Sequence, residues 1–294
     1  MAEANKADAG RPYHTSCTGD ALETVNRQQQ DQDITLFGGC FCPFVQRAWV
    51  TFEALGIPYK VEVDPYKKPK ELVELSPKGL VPALRLNSFS PPRALNESTV
   101  IMDYLEDLAA TTTRHTILPL LSNPYARALA RLAADEVNRN LVPAFYRYLQ
   151  AQEPSAQIEH GIAYHDALGR FISVLQRSEA EILGPGGHSG DGEHTMLKRG
   201  LGLWIEDNTD LGWADVMAAP WLFRTKLVLT HYRGFKLPEG ERFNRYLDRV
   251  CNHPDFKATC STDQLYLDSY ERYAFNRPNT SQVATAINEG RALP

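Results

Sequence analysis

Apolar and polar positions along the chain change their period several times, and each change marks an element. Ile34, Thr35, Leu36 and Phe37 form a short β-prone run closed by Gly38 and Gly39, which predicts a buried strand. After it Val45, Ala48, Trp49, Phe52 and Leu55 recur at three- and four-residue spacing up to Gly56, the signature of an amphipathic helix ended by glycine. Tyr59 to Val63 alternates as a second strand, and Pro69 to Leu75 reads as a short helix opened by its proline. Val81 to Leu86 and the segment around Ala94 and Leu95 read as a strand pair, separated by a loop over Ser88 to Pro92. Ser98 to Leu108 is helical again. The predicted order is β-α-β-α-β-β-α.

From Asn123 the helical period persists, with long stretches over Ala126–Leu149 and Gln157–Leu183 and no predicted strand. The organisation that follows is a polar extension over 1–31, an α/β unit over 32–111, a linker over 112–122, an all-helical unit over 123–275 and a tail over 276–294. The extension carries Gln28-Gln29-Gln30 and no sustained period, so it reads as mobile rather than as core. Gly184 to Gly192 is glycine-rich but follows a helix and lacks a Gly-Lys-Ser/Thr ending, so it reads as a connection and not a phosphate loop.

Composition narrows the function. There are 31 Lys and Arg against 36 Asp and Glu, a net charge of -5, without the basic excess that phosphate contacts to nucleic acid require. No apolar run approaches the roughly 18 residues of a membrane span, and the first thirty residues lack the apolar core of a signal peptide, so a cytoplasmic location is expected. Cys17, Cys40, Cys42, Cys251 and Cys260 form an odd set without C-x-x-C pairs, and neither His160 with His165 nor His188 with His194 has metal spacing. No structural disulfide and no metal are expected.

The segment Gly39-Cys40-Phe41-Cys42-Pro43-Phe44-Val45-Gln46-Arg47 carries the chemistry. It places Cys42 just after a strand and just before Pro43, at the first helical position. Unpaired amides and the positive end of the helix dipole stabilise a thiolate there, and can bring a cysteine pKa well below its free value of about 8.5. A buried structural cysteine is the bland alternative. The coincidence of strand, cysteine, proline and helix favours the nucleophile. Cys40, two residues earlier, reads as a small apolar residue of the turn, because a disulfide across one residue would be strained.

At Cys42-Pro43-Phe44 with Arg47, the sequence resembles the cytosolic glutathione transferases, most closely the omega class. Lys67-Lys68-Pro69, Pro77-Lys78-Gly79-Leu80-Val81-Pro82 and Asn96-Glu97-Ser98 extend the resemblance, which covers roughly residues 33 to 275. It implies an α/β thioredoxin-like N-terminal domain followed by an all-α C-terminal helical domain, and a homodimer. It further implies glutathione as co-substrate. Phe44, Lys68, Val81, Pro82, Glu97 and Ser98 would hold it: Pro82 in cis presents the Val81 backbone, Glu97 meets the γ-glutamyl ammonium, Ser98 its carboxylate, and Lys68 the glycine end.

A tyrosine or serine at the catalytic position would suit conjugation, since a hydroxyl can donate to the glutathione thiolate. A cysteine thiolate would repel it. Cys42 instead suits attack on a disulfide or glutathione thioether, followed by resolution with a second glutathione. The expected activity is glutathione-dependent thiol transfer: deglutathionylation, or reduction of a disulfide or dehydroascorbate. Val45 stands where a dithiol enzyme carries its second cysteine, so the mechanism is expected to be monothiol. Two alternatives stay open: a dedicated small-molecule substrate, and a binding module without catalysis. Phe41, Tyr125, Tyr146 and Trp204 are candidates for the second-substrate pocket. Asp215, in a segment that resembles the start of the family's core helix, reads as structural, with Gly212 a weaker cap than the usual Ser or Thr.

Overall fold

The computed structural model describes residues 14–63, 70–183 and 201–294. Its sheet contains β1 (Ile34–Gly38), β2 (Lys60–Val63), β3 (Ala83–Leu86) and β4 (Arg93–Asn96) in the order β2-β1-β3-β4. β1 runs parallel to β2 and antiparallel to β3, with Leu36 opposite Val61 on one side and Leu84 on the other. All three of these side chains are buried. A parallel neighbour needs a crossover, and α2 (Pro43–Leu55) supplies it.

Pro43 opens α2, and Gly56, at φ 63°, ends it in the left-handed conformation that glycine adopts without a steric penalty. The crossover starts tightly: a Cβ on Gly38 would lie 2.5 Å from Val45 Cγ1, so glycine is what lets helix and strand approach here. α3 (Lys70–Leu75) and α4 (Ser98–Thr111) complete this half. α4 packs on α2 and buries Ile101, Met102 and Leu105. This is the thioredoxin-like arrangement, and the remainder is helical.

In that remainder, α5 (Pro124–Glu136), a π turn (Val137–Leu141) and α6 (Val142–Gln150) replace the single predicted helix. Pro143 has no amide hydrogen to give to a residue four back, and the helix widens one turn before it. α7 (Pro154–Leu183) follows, and after a 3₁₀ turn (Gly202–Trp204) comes α8 (Trp213–Arg224), which packs on α2. A second π turn (Thr225–Leu229) leads into α9 (Thr230–Arg233), followed by α10 (Glu241–Asn252), α11 (Pro254–Lys257) and α12 (Asp263–Ala274). Among the described residues no helix is long and apolar enough to cross a membrane.

Two segments differ from their sequence reading. Within the polar extension, α1 (Gly19–Arg27) is helical and buries Ala21 and Thr24, while Cys17 just before it is buried too. Backbone and side-chain bonds hold it: Ala21 N–H donates to the Cys260 carbonyl at 2.9 Å, and Thr18 Oγ1 meets Thr262 Oγ1 at 2.9 Å. Its buried face is too short and too polar to register as an apolar period. Within the tail lies α13 (Gln282–Asn288), capped by Ser281, whose hydroxyl accepts from the Ala284 amide at 3.0 Å. The cap Ser281 and the small apolar stripe of Val283, Ala284 and Ile287 were its signal in the sequence. The glycine-rich stretch over Gly184–Gly192 lies outside the described residues.

Candidate active site

Cys42 occupies the N-cap position of α2, with φ −75° and ψ 120°, and its carbonyl accepts the first helical bond, from Gln46 N–H at 3.1 Å. The half-buried residue opens on a cavity of about 810 Å³. Phe44, Val81, Pro82, Glu97 and Ser98 also line this cavity, so five of the residues expected to hold glutathione meet around one space with the expected nucleophile. The sixth, Lys68, lies outside the described residues. Lys78, on the loop before Val81, is a cation that does line the cavity, as does Arg47.

The Val81–Pro82 bond is cis. Glu97, at the N-cap of α4, has φ 69° and ψ 115°. A β-carbon-bearing residue held there costs on the order of 1–3 kcal/mol, and such strain collects where a side chain or amide must point at a ligand. The following Ser98 begins α4 and is buried against the cavity, where the helix amides converge.

Beside the Cys42 turn the structure buries two guanidiniums, Arg47 of the Cys-Pro-Phe motif and Arg224, which the sequence did not single out. Arg47 is 1% exposed, with its guanidinium 4.1 Å above the Trp221 ring. Arg47 Nε donates to the Met217 carbonyl at 2.9 Å and Nη1 to Asn138 Oδ1 at 2.8 Å, while Nη2 has no hydrogen-bond partner among the described residues. Burial lowers the Arg47 pKa to about 9, opposed by Tyr146 and Cys42, so the side chain remains cationic at neutral pH. Arg224, at the end of α8, is 0% exposed. It donates to the Phe41 carbonyl at 2.9 Å, to Gln46 Oε1 at 2.7 Å and to the Pro220 carbonyl at 2.7 Å, leaving Nε without a hydrogen-bond partner among the described residues. The other thiols are set differently. Burial pushes Cys17, Cys251 and Cys260 each up to about 12, which keeps them protonated. Cys40 is buried, with Sγ 3.2 Å from the His14 carbonyl.

Of the four side chains expected in a second-substrate pocket, only Phe41 lines the cavity. Tyr146 lies buried within the electrostatic reach of Cys42 but faces Phe145 and Tyr273. Tyr125 is 55% exposed and donates to Glu181 at 2.6 Å. Trp204 is sealed between Tyr246 and Arg242, its ring nitrogen donating to Glu179 at 3.0 Å. The wall that does face Cys42 comes from Asn138, Val142 and Tyr273 and from the tail: Thr280 to Val283 and Leu293. Gln282 ties the tail across the mouth, donating to the Lys78 carbonyl at 3.2 Å.

Residues 41–108 match the family model described as glutathione S-transferase, N-terminal domain. The crystal structure of glutathione transferase Omega 3C from Trametes versicolor matches with a TM-score of 0.67 and 30% identity, over 88% of this chain and 98% of that one. Pyrimidodiazepine synthase of Drosophila melanogaster is 24% identical over 85% of this chain and 90% of its own length. Probable glutathione S-transferase DHAR1, cytosolic, of Oryza sativa subsp. japonica is 24% identical over 67% of this chain and 73% of its own. With a matching N-terminal domain, the same two-part fold and a 30% identical relative spanned almost end to end, this chain belongs to the glutathione transferase family.

Proposed function

We propose that this chain is an omega-like, cysteine-type glutathione transferase that acts as a thiol transferase or dehydroascorbate reductase. The observation that carries the reading is Cys42 at the N-terminus of α2, opening on one cavity with Phe44, Val81, Pro82, Glu97 and Ser98. Helix amides and two buried guanidiniums favour the anionic form of its sulfur. In deglutathionylation the Cys42 thiolate attacks the glutathionyl sulfur of a mixed disulfide. The S–S bond breaks, the released thiolate takes a proton, and Cys42 carries the glutathionyl group. A second glutathione thiolate then attacks that sulfur, giving glutathione disulfide and restoring the Cys42 thiolate.

Glu97 and the amides at Ser98 hold the γ-glutamyl end, and Val81 the cysteinyl backbone. Lys68, by resemblance, serves the glycine end, with Lys78 as a further cation at the cavity. The working assembly is a homodimer in the cytoplasm. Cys42→Ser is expected to abolish reduction of hydroxyethyl disulfide and dehydroascorbate while glutathione binding stays within a few-fold. Retained reductase activity in that variant overturns the reading. Calorimetry that finds no glutathione binding to the wild type would instead favour a binding module without catalysis.

A second reading, in which the same cysteine serves a dedicated small molecule, draws on the likeness to a pyrimidodiazepine synthase and on a cavity partly walled by the tail. Turnover of a glutathionyl-ketone or aromatic electrophile far above that of generic disulfides would select it.

A further inference from the structure

Among the described residues neither buried guanidinium beside the Cys42 turn pairs with a carboxylate. Among the described residues Arg47 has a carbonyl and an amide oxygen as acceptors, and Arg224 has two carbonyls, an amide oxygen and the Tyr270 hydroxyl. Each leaves one nitrogen buried and unpartnered. Taking such a cation out of water costs several kcal/mol unless an anion offsets it. The groups that face Cys42 are Arg47 on its own helix, Tyr146 of α6, Arg224 of α8 and Tyr270 and Tyr273 of α12, with Lys78 and the Glu97 carboxylate across the cavity. Glu97 is exposed, and Cys42 is a thiol within electrostatic reach of Arg47, while Tyr270, Tyr266, Tyr146 and Cys260 lie within reach of Arg224.

Arg224 adds geometry to charge. One nitrogen holds the Phe41 carbonyl, in the peptide that precedes Cys42, and another holds Gln46 in the first turn of α2. Gln46 in turn donates to Thr259 Oγ1 at 3.1 Å. The chain on both sides of the cysteine is therefore pinned to the helical half by one side chain 183 positions from Phe41. A lysine could not make this set, because a single ammonium cannot reach these acceptors as a planar fork does.

We propose that Arg224 is the positioning residue of the site, fixing the Phe41–Cys42 turn at the helix N-terminus while it and Arg47 provide the buried positive charge that the Cys42 thiolate balances. The proposal rests on the reading of Cys42 as the nucleophile, and the test separates the two. Cys42 is alkylated with iodoacetamide across pH 4 to 10 and followed by peptide mass. Cys17, Cys251 and Cys260 stay silent near neutrality. Wild type is compared with Arg224→Gln and Arg224→Lys.

The expected midpoint rises by about one pH unit in the glutamine variant, with the lysine variant between the two. A folded glutamine variant whose midpoint equals that of wild type overturns the proposal. Should glutamine prevent folding, the lysine variant decides: its midpoint must rise by a measurable fraction of a unit, and an unchanged value overturns the proposal equally. A wild-type Cys42 that titrates like free cysteine sinks the functional reading itself, whereas a depressed wild-type midpoint shared by the variants sinks only the role of Arg224.

Discussion

The two ends of α8 both bury an ionisable side chain completely, and they do opposite things with it. Near its start Asp215 accepts from the amides of Leu203 at 2.7 Å and Gly212 at 2.9 Å and from the Tyr246 hydroxyl at 2.8 Å. Gly202, at φ +61°, makes room, since a Cβ there would fall on the carboxylate. No part of this arrangement touches the cavity. At the other end Arg224 keeps an unpartnered nitrogen and spends its bonds on the turn that carries Cys42. Burial of a charge therefore does not by itself mark a site. What distinguishes the other end is a cation with one nitrogen left without a hydrogen bond beside the proposed nucleophile, while the Asp215 end is closed on itself.

The largest expected effect tests the closed end. Asp215→Ala orphans three buried donors at once, each costing about 1–3 kcal/mol, so we expect a loss of about 4 kcal/mol or more in urea unfolding. A loss under about 1 kcal/mol would mean that the three donors find other partners and that the contrast drawn along α8 fails.

The next effect is a pH dependence. Burial raises the Asp215 pKa from 3.8 to about 6, against the pull of its hydrogen bonds. Between those values the folded chain holds a proton that the unfolded chain has released. The stabilisation is therefore complete below about pH 4 and is lost as pH rises to about 6. Roughly two units correspond to about 3 kcal/mol. Asp215→Asn cannot titrate there, so the stability of wild type relative to the asparagine variant should fall across pH 4 to 6 and level off above. A flat difference, measured by urea unfolding at several pH values, would place a permanently ionised carboxylate in the core.

Much of the cavity was legible in the sequence because the side proposed to hold glutathione is built from local motifs. Cys42-Pro43 at a strand-to-helix turn, Val81-Pro82 before a strand and Glu97-Ser98 before a helix each announce their own backbone geometry, and each lines the same space. The opposite wall was not legible, for two reasons. Its residues lie at positions whose exposure depends on packing: Tyr125, Tyr146 and Trp204 have the right chemistry but face solvent or core, whereas Asn138 enters through a π turn that Pro143 hints at without locating. The tail contains α13 and brings Thr280 to Val283 to the cavity. Its anchors are tertiary: Gln150 Nε2 donates to the Ala284 carbonyl at 3.2 Å and to Asn288 Oδ1 at 3.0 Å. Arg224 was invisible for the same reason, since nothing near it in sequence indicates the Phe41 carbonyl.

The smallest expected change in stability sharpens the comparison from the cavity side. If uncompensated features belong to function, relieving one should cost binding and spare the fold, the reverse of Asp215. Glu97 provides the case: its positive φ carries strain of about 1–3 kcal/mol, and glycine would remove it at an entropic cost of about 1 kcal/mol. Glu97→Gly should therefore leave unfolding free energy unchanged or raise it by up to about 2 kcal/mol. The same substitution removes the carboxylate proposed to meet the glutathione ammonium, a charge-assisted contact of about 1.5–3 kcal/mol, so the glutathione Kd should rise by about tenfold or more. Urea unfolding and calorimetry on one preparation read both. A variant that loses stability while keeping its affinity would put Glu97 with Asp215 among the purely structural charges, because strain maintained for the fold's own sake would then be the better account of its backbone.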